Sequence, residues 1–275
     1  MKNFTYTYNR VRVGALILFL AVVNLIQMNA AVILVPTDEA TIQDAINAAS
    51  PGDTVSLEFA SSPFAEGLIT IPSTKAGLVL QGNGSTINSS SGSWGLTIEA
   101  DNVTIQDLTL NGAGTFGIIT GNPVVGGNFL TLNSISVTGG GGSGFAITGV
   151  NDITMNNITS MNNGGNGISL TSVQNVVIDG YTSSGNMFGG GFSSGLGIFS
   201  CDSYSPCGAD NIQLIGTVSI AEPFPIYSQE DVCGGTCGIG TVSNIILNPD
   251  NVSYTHLMGI DRDKFYFTSL SDALS

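Results

Sequence analysis

The chain has 275 residues, enough for one large domain with a sizeable core. Charged residues make up only 9%, glycine fills 37 positions and mean hydropathy is +0.31; this excludes a disordered chain and fits short apolar strands separated by uncharged polar turns. Six basic residues against 20 acidic ones exclude a nucleic-acid partner, because phosphate binding needs clustered Lys and Arg.

Lys2, Arg10 and Arg12 make a basic start, Gly14 to Ile26 is an apolar run broken at Asn24, and the small residues Ala30 and Ala31 follow. This is the layout of a secretory signal peptide, and the run is shorter than the ~20 residues of a membrane span. Residues 1–30 are therefore expected to be removed, giving a secreted or cell-surface protein with no membrane span. Only Lys75, Arg262 and Lys264 then face all 20 acidic residues. Such a charge disfavours an acidic polysaccharide unless metal ions bridge the two anions.

Next comes a short helix. Thr41-Ile42-Gln43-Asp44 has the form of a capping box, and Ile42, Ala45, Ile46 and Ala49 share one helical face. Ser50, Pro51, Gly52 and Asp53 stop the helix and turn the chain. Placed before a repetitive strand region, this helix is expected to cover its open end.

The repeat follows. Apolar triplets recur at Val103-Thr104-Ile105, Leu130-Thr131-Leu132, Ile153-Thr154-Met155, Val176-Val177-Ile178, Ile212-Gln213-Leu214 and Ile245-Ile246-Leu247, in steps of 27, 23, 23, 36 and 33 residues. Each alternates like a strand with one buried face. A second inward candidate comes three residues later at Leu108, Ile135, Ile158 and Tyr181, and a third at Ile118, Ile147, Ile168, Ile198 and Ile226. Three short strands per repeat describe a coil that stacks on itself, because one turn alone cannot bury its aliphatic side chains. The expected fold is all-β, a right-handed parallel β-helix over residues 31–255 with a short N-terminal capping α-helix.

The segment Ala40-Thr-Ile-Gln-Asp-Ala-Ile-Asn-Ala-Ala-Ser-Pro-Gly-Asp-Thr54, with rungs such as Asn151-Asp-Ile-Thr-Met-Asn-Asn-Ile-Thr159, resembles the right-handed parallel β-helix superfamily that includes pectate lyases, over residues 32–254. The superfamily holds lyases, hydrolases, esterases, epimerases and adhesins, so the resemblance implies a fold more firmly than an activity. Its lyases use acidic residues holding calcium plus an Arg or Lys base, yet no Lys or Arg occurs between Lys75 and Arg262. Its polygalacturonases carry closely spaced Asp residues and a His, yet the only His is His256, beyond the last rung. No catalytic residue is assigned on this basis. No cofactor is implied either, calcium on Asp101, Asp107 or Asp152 being the one ion left open.

Directly after the first-strand anchors stand Gln106, Asn133, Asn156 and Asp179. Stacked one rung apart, they are expected to form a polar ladder that satisfies turn backbone groups and one another. Asp107 and Asp179 lie three rungs apart, ~14 Å at the inter-strand spacing, beyond the ~9.5 Å limit for paired catalytic carboxylates.

The two long steps mark insertions, and near them lie Cys201, Cys207, Cys233 and Cys237. An even count in an exported chain implies two disulfides of undetermined pairing. The bridges either just pin long loops or stiffen them so that Tyr204, Phe224 and Tyr227 frame a sugar-stacking groove.

At the end, Ser269-Leu270-Ser271-Asp272-Ala273-Leu274 matches Thr41-Ile42-Gln43-Asp44-Ala45-Ile46 in type. Residues 256–275 thus form a C-terminal segment that would either start a second cap and further module or plug the same coil. The expected function is a secreted or cell-surface module without catalysis, binding a polysaccharide or cell-surface glycan or serving a structural or adhesive role. The alternative is a metal-dependent polysaccharide lyase or a glycoside hydrolase. A third reading, an ice- or mineral-binding surface, rests on the outward row Thr104, Thr131 and Thr154, which breaks at Val177.

Overall fold

A computed structural model describes residues 30–89, 92, 94–120, 126–186, 194–200, 208–222, 224–229, 242–247, 252–253 and 265–267. The expected signal peptide, the four cysteines and most of residues 256–275 lie outside the described residues. In chain order the elements are β1 (Val32–Val35), α1 (Ile42–Ala48), β2 (Thr54–Leu57), β3 (Phe64–Glu66), β4 (Ile69–Ile71), β5 (Val79–Ser89), β6 (Leu96–Ile98), β7 (Thr104–Asn111), β8 (Ile118–Thr120) and β9 (Thr131–Thr138). There follow β10 (Phe145–Thr148), β11 (Asn151–Met161), β12 (Ile168–Thr171), β13 (Gln174–Ser184), β14 (Ser194–Phe199), β15 (Ala209–Ile220), β16 (Phe224–Gln229), β17 (Val242–Leu247), β18 (Val252–Ser253) and β19 (Phe265–Phe267).

The strands build two parallel sheets. The larger runs β1-β2-β5-β7-β9-β11-β13-β15-β17-β19, with β3 also on β5 and β18 also on β15; the smaller runs β4-β6-β8-β10-β12-β14-β16. From β3 to β17 the chain alternates between them, adding one strand to each per turn. It is a parallel β-helix. Ile105 pairs with Leu132, Leu132 with Met155, Met155 with Ile178, and Ile178 with Leu214. All five side chains are buried, each contributing ~1.5–3 kcal/mol relative to exposure. Register survives the two long steps because the extra residues fall between strands, before β14 and β15 in the first step and before β17 in the second.

The sequence implies three separate strands per turn, whereas the structure joins the first two across a bend. Asp107, Ser134, Asn157 and Gly180 stand at that bend with φ of 53°, 53°, 52° and 78°. The left-handed residue re-aims the chain without ending the ladder, so the second limb starts with Leu108, Ile135, Ile158 and Tyr181 again pointing inward.

A glycine column precedes the smaller sheet: Gly95, Gly117, Gly144, Gly167 and Gly195, aligned by the strand registers beside them. A Cβ on Gly95, Gly117 or Gly167 would lie 2.6, 2.5 and 2.6 Å from the carbonyl oxygen of the next glycine in the column. The remaining space is filled by the last inward side chain of the second limb, Leu110 over Gly95 and Val137 over Gly117. Glycine is needed because a neighbouring side chain already occupies the Cβ position.

Helix α1 is capped by Thr41, whose Oγ1 accepts from the Asp44 N–H at 3.1 Å and donates to Asp44 Oδ2 at 2.7 Å. Ile42, Ala45 and Ile46 are buried. Gln43 completes the cover: its Oε1 accepts from Thr70 N–H at 2.7 Å and its Nε2 donates to Thr70 O at 3.1 Å. One amide side chain thus satisfies the exposed backbone edge of β4. Among the described residues no helix is long and apolar enough to cross a membrane.

Candidate binding faces and an interior polar column

The register places Gln81, Gln106, Asn133, Asn156 and Asp179 in one outward column on the first limb. Asn156 Nδ2 donates to Asn133 Oδ1 at 2.7 Å, and Gln106 Nε2 donates to Gln81 Oε1. The next rung carries Ile215 in that column. These side chains bond from rung to rung, as structural ladders do.

The carboxylates are similarly engaged. Asp101 Oδ1 accepts from the N–H and the Nδ2 of Asn128 at 2.9 and 3.2 Å, Asp107 Oδ2 accepts from Gln81 Nε2 at 3.0 Å, and Asp152 Oδ1 accepts from Asn175 Nδ2 at 2.9 Å. Asp107 stands at the bend, whereas Asp101 and Asp152 border the first limb, so the fold does not gather the three. Among the described residues no group of three or more His, Cys, Asp and Glu is placed to hold a metal ion.

A second outward column was not singled out from the sequence. Thr86 pairs with Thr109, Thr109 with Ser136, Ser136 with Thr159, Thr159 with Thr182, Thr182 with Ser219, and Ser219 with Ser253. Hydroxyls thus stack along the second limb from Thr86 to Ser219 at ~4.8 Å intervals. From Thr86 to Ser219 these residues are partly or fully exposed, and among the described residues their hydroxyls have no protein partner. The adjoining outward column is Asn88, Asn111, Thr138, Met161 and Ser184. Neither column contains a charged residue. The row Thr104, Thr131, Thr154 lies on the first limb and is broken at Val177, as its spacing implies.

Of the three aromatic residues expected to stack on sugar, Tyr204 lies outside the described residues and Phe224 is described only as the backbone start of β16. Tyr227 is partly exposed on β16, next to Phe199 of β14, with ring centroids 5.9 Å apart and planes tilted by 52°. The Phe199 ring lies over Gly197, where a Cβ would stand 2.6 Å from it. The two rings form an aromatic shelf on the smaller sheet.

Inside the coil, one column changes character. Leu110 and Val137 are followed in register by Ser160 and Ser183, then by Ile220. Around the two serines the interior is polar. Asn163 Nδ2 donates to Ser160 Oγ at 3.0 Å and to Asn186 Oδ1 at 2.8 Å, and Asn163 Oδ1 accepts from Gly140 N–H at 2.9 Å. Ser183 Oγ and Asn186 Nδ2 each donate to Glu222 Oε1 at 2.6 Å. The Tyr181 hydroxyl donates to Gly195 O at 2.7 Å. Burial pushes the Tyr181 phenol well above its ordinary value; a hydrogen bond with Ser183 opposes this and the Glu222 charge adds to it. Glu222 is 2% exposed.

No family model, curated protein or solved structure matches this chain. The hydroxyl column was visible in the sequence as the residue after each second-limb anchor, Thr109, Ser136, Thr159 and Thr182. The interior polar column had no such signal, since Ser183 and Glu222 lie 39 residues apart.

Proposed function

We propose that this chain is a secreted or cell-surface β-helix module, of the pectate-lyase-like kind its sequence resembles, that binds a neutral polysaccharide without cleaving it. The carrying observation is the second-limb face, where unpartnered hydroxyls repeat over successive rungs with no charge among them. A nucleic acid needs Lys and Arg, and the face has none. A protein interface favours aromatic and large apolar anchors, and Met161 is the only large apolar residue of the two columns. A neutral polyol matches a surface of paired donors and acceptors, and β-branched threonine holds each hydroxyl in few rotamers, so little entropy is lost on binding. The aromatic shelf at Phe199 and Tyr227 offers a stacking surface on the smaller sheet.

The test is retention on insoluble glucan, xylan and mannan, with reducing ends and unsaturated products measured in the same tubes. Saturable retention without product, lost in Thr109→Val/Thr159→Val/Thr182→Val, is the expected result. Product release would favour the lyase or hydrolase alternative, and absence of retention on every neutral polymer would refute the proposal.

A further inference from the structure

Glu222 sits in the interior with one oxygen accepting two hydrogen bonds, while its other oxygen, Oε2, is buried without a partner. It is the only carboxylate oxygen in that state among the described residues. A buried carboxylate is ordinarily matched by Lys, Arg or His. Here the sequence contains no Lys or Arg between Lys75 and Arg262, and its single His is His256. Lys75 is committed at the other end of the coil, where its Nζ donates to the carbonyls of Asn47 and Ala49 closing α1. Among the described residues, the groups that reach Glu222 are neutral, the Ser183 hydroxyl and the Asn186 amide.

Those neutral groups are oxygen-rich. Within the same column lie the hydroxyls of Ser160, Ser183 and Tyr181 and the carbonyls of Gly167 and Gly195. The glycine column makes room for them: a Cβ on Gly167 would meet Tyr181 Oη, Gly195 O and Ser183 Oγ, and a Cβ on Gly144 would meet Ser160 Oγ. One carboxylate with several neutral oxygens is the donor chemistry of a hard cation.

We infer that a metal cation preferring oxygen ligands binds at Glu222 Oε2 inside the C-terminal rungs, supplying the positive charge that the sequence withholds. The site is separate from the outward faces and does not depend on what they bind. Its role is to hold the late rungs together, where the interior is least apolar.

The experiment uses the full chain, stripped with chelator and held in 0.15 M NaCl to suppress loose binding by the other acidic residues. Calcium is the probe, followed by equilibrium dialysis and by thermal unfolding at rising calcium concentration. One tight site and a melting temperature that climbs with the logarithm of calcium are expected. Glu222→Gln should weaken binding roughly tenfold or more and flatten the thermal response, whereas Glu99→Gln should leave both unchanged. Should Glu222→Gln fail to fold, Glu222→Asp, which keeps the charge but shortens its reach, should show weakened yet measurable binding. A wild-type protein indifferent to calcium would overturn the inference. So would a Glu222→Gln variant that binds calcium like wild type, or one more stable than wild type at every calcium concentration, which would mean that the carboxyl is simply protonated.

Discussion

Gly117→Ala isolates the packing rule that the coil imposes on its glycine column. Gly117 has no left-handed φ, so alanine meets no backbone strain there, and the unfolded chain alone would favour alanine by about 0.4–1 kcal/mol. The folded state opposes it. The new Cβ would lie 2.5 Å from Gly144 O and 3.4 Å from Gly144 C, and would also strike Val137 Cγ1. Overpacking of this kind costs about 1–3 kcal/mol. Gly144 O also accepts the Ile118 N–H at 2.9 Å, and pushing it aside forfeits about 1 kcal/mol more. The net expectation is a loss of about 2–3 kcal/mol, or a fall in melting temperature of about 5–10 °C for a domain of this size. Thermal unfolding followed by far-ultraviolet circular dichroism measures it, and hydrogen exchange at the Ile118 amide localises it. Adding Val137→Ala should recover little, because the carbonyl remains in the way. Gly112→Ala is the informative contrast. Its φ is 75° and its nearest neighbour, Ser89 O, would lie 3.6 Å from the Cβ, so its cost of about 1–2 kcal/mol comes from backbone conformation alone. A Gly117→Ala protein as stable as wild type would refute the account of the column.

Two further outcomes follow from the interior. Asn163→Ala leaves the buried Gly140 N–H without its partner and removes one of two donors from Asn186 Oδ1, which keeps the backbone N–H of residue 163; it should cost about 2–3 kcal/mol in chemical denaturation, while Asn111→Ala on the exposed face should change stability by less than about 0.5 kcal/mol. Burial raises the folded-state value of Tyr181 above the ordinary ~10 of the unfolded chain. Above that pH the unfolded state therefore binds fewer protons than the folded state, and stability falls as pH rises. The decline in melting temperature past pH ~10 should be shallower in Tyr181→Phe than in wild type; equal slopes would refute the assignment.

Much of the architecture was legible because it is written locally. Alternation at Val103-Thr104-Ile105 and its successors names the buried face, and the recurrence of those triplets implies stacking. Thr41 and Asp44 announce the cap helix by their spacing, and the structure uses them so. The break of the Thr104 row at Val177 could likewise be counted from the sequence. The hydroxyl column was harder to see, because the left-handed residue at each bend, such as Asp107 or Ser134, resets the alternation between one limb and the next. A period-two reading carried straight through β7 or β9 puts Thr109 and Ser136 on the wrong face.

By itself, then, the chain determined that it would wind, where its aliphatic side chains would go, and that its central rungs would lack Lys and Arg. Only the coil decided that Ser160, Ser183, Asn186 and Glu222 would share one interior column, because residues up to 39 positions apart meet only when complete turns are stacked. Inward or outward is a property of backbone phase, which neighbours set. Which turn lies over which, and what then faces a buried carboxylate, is a property of register, which only strand pairing sets.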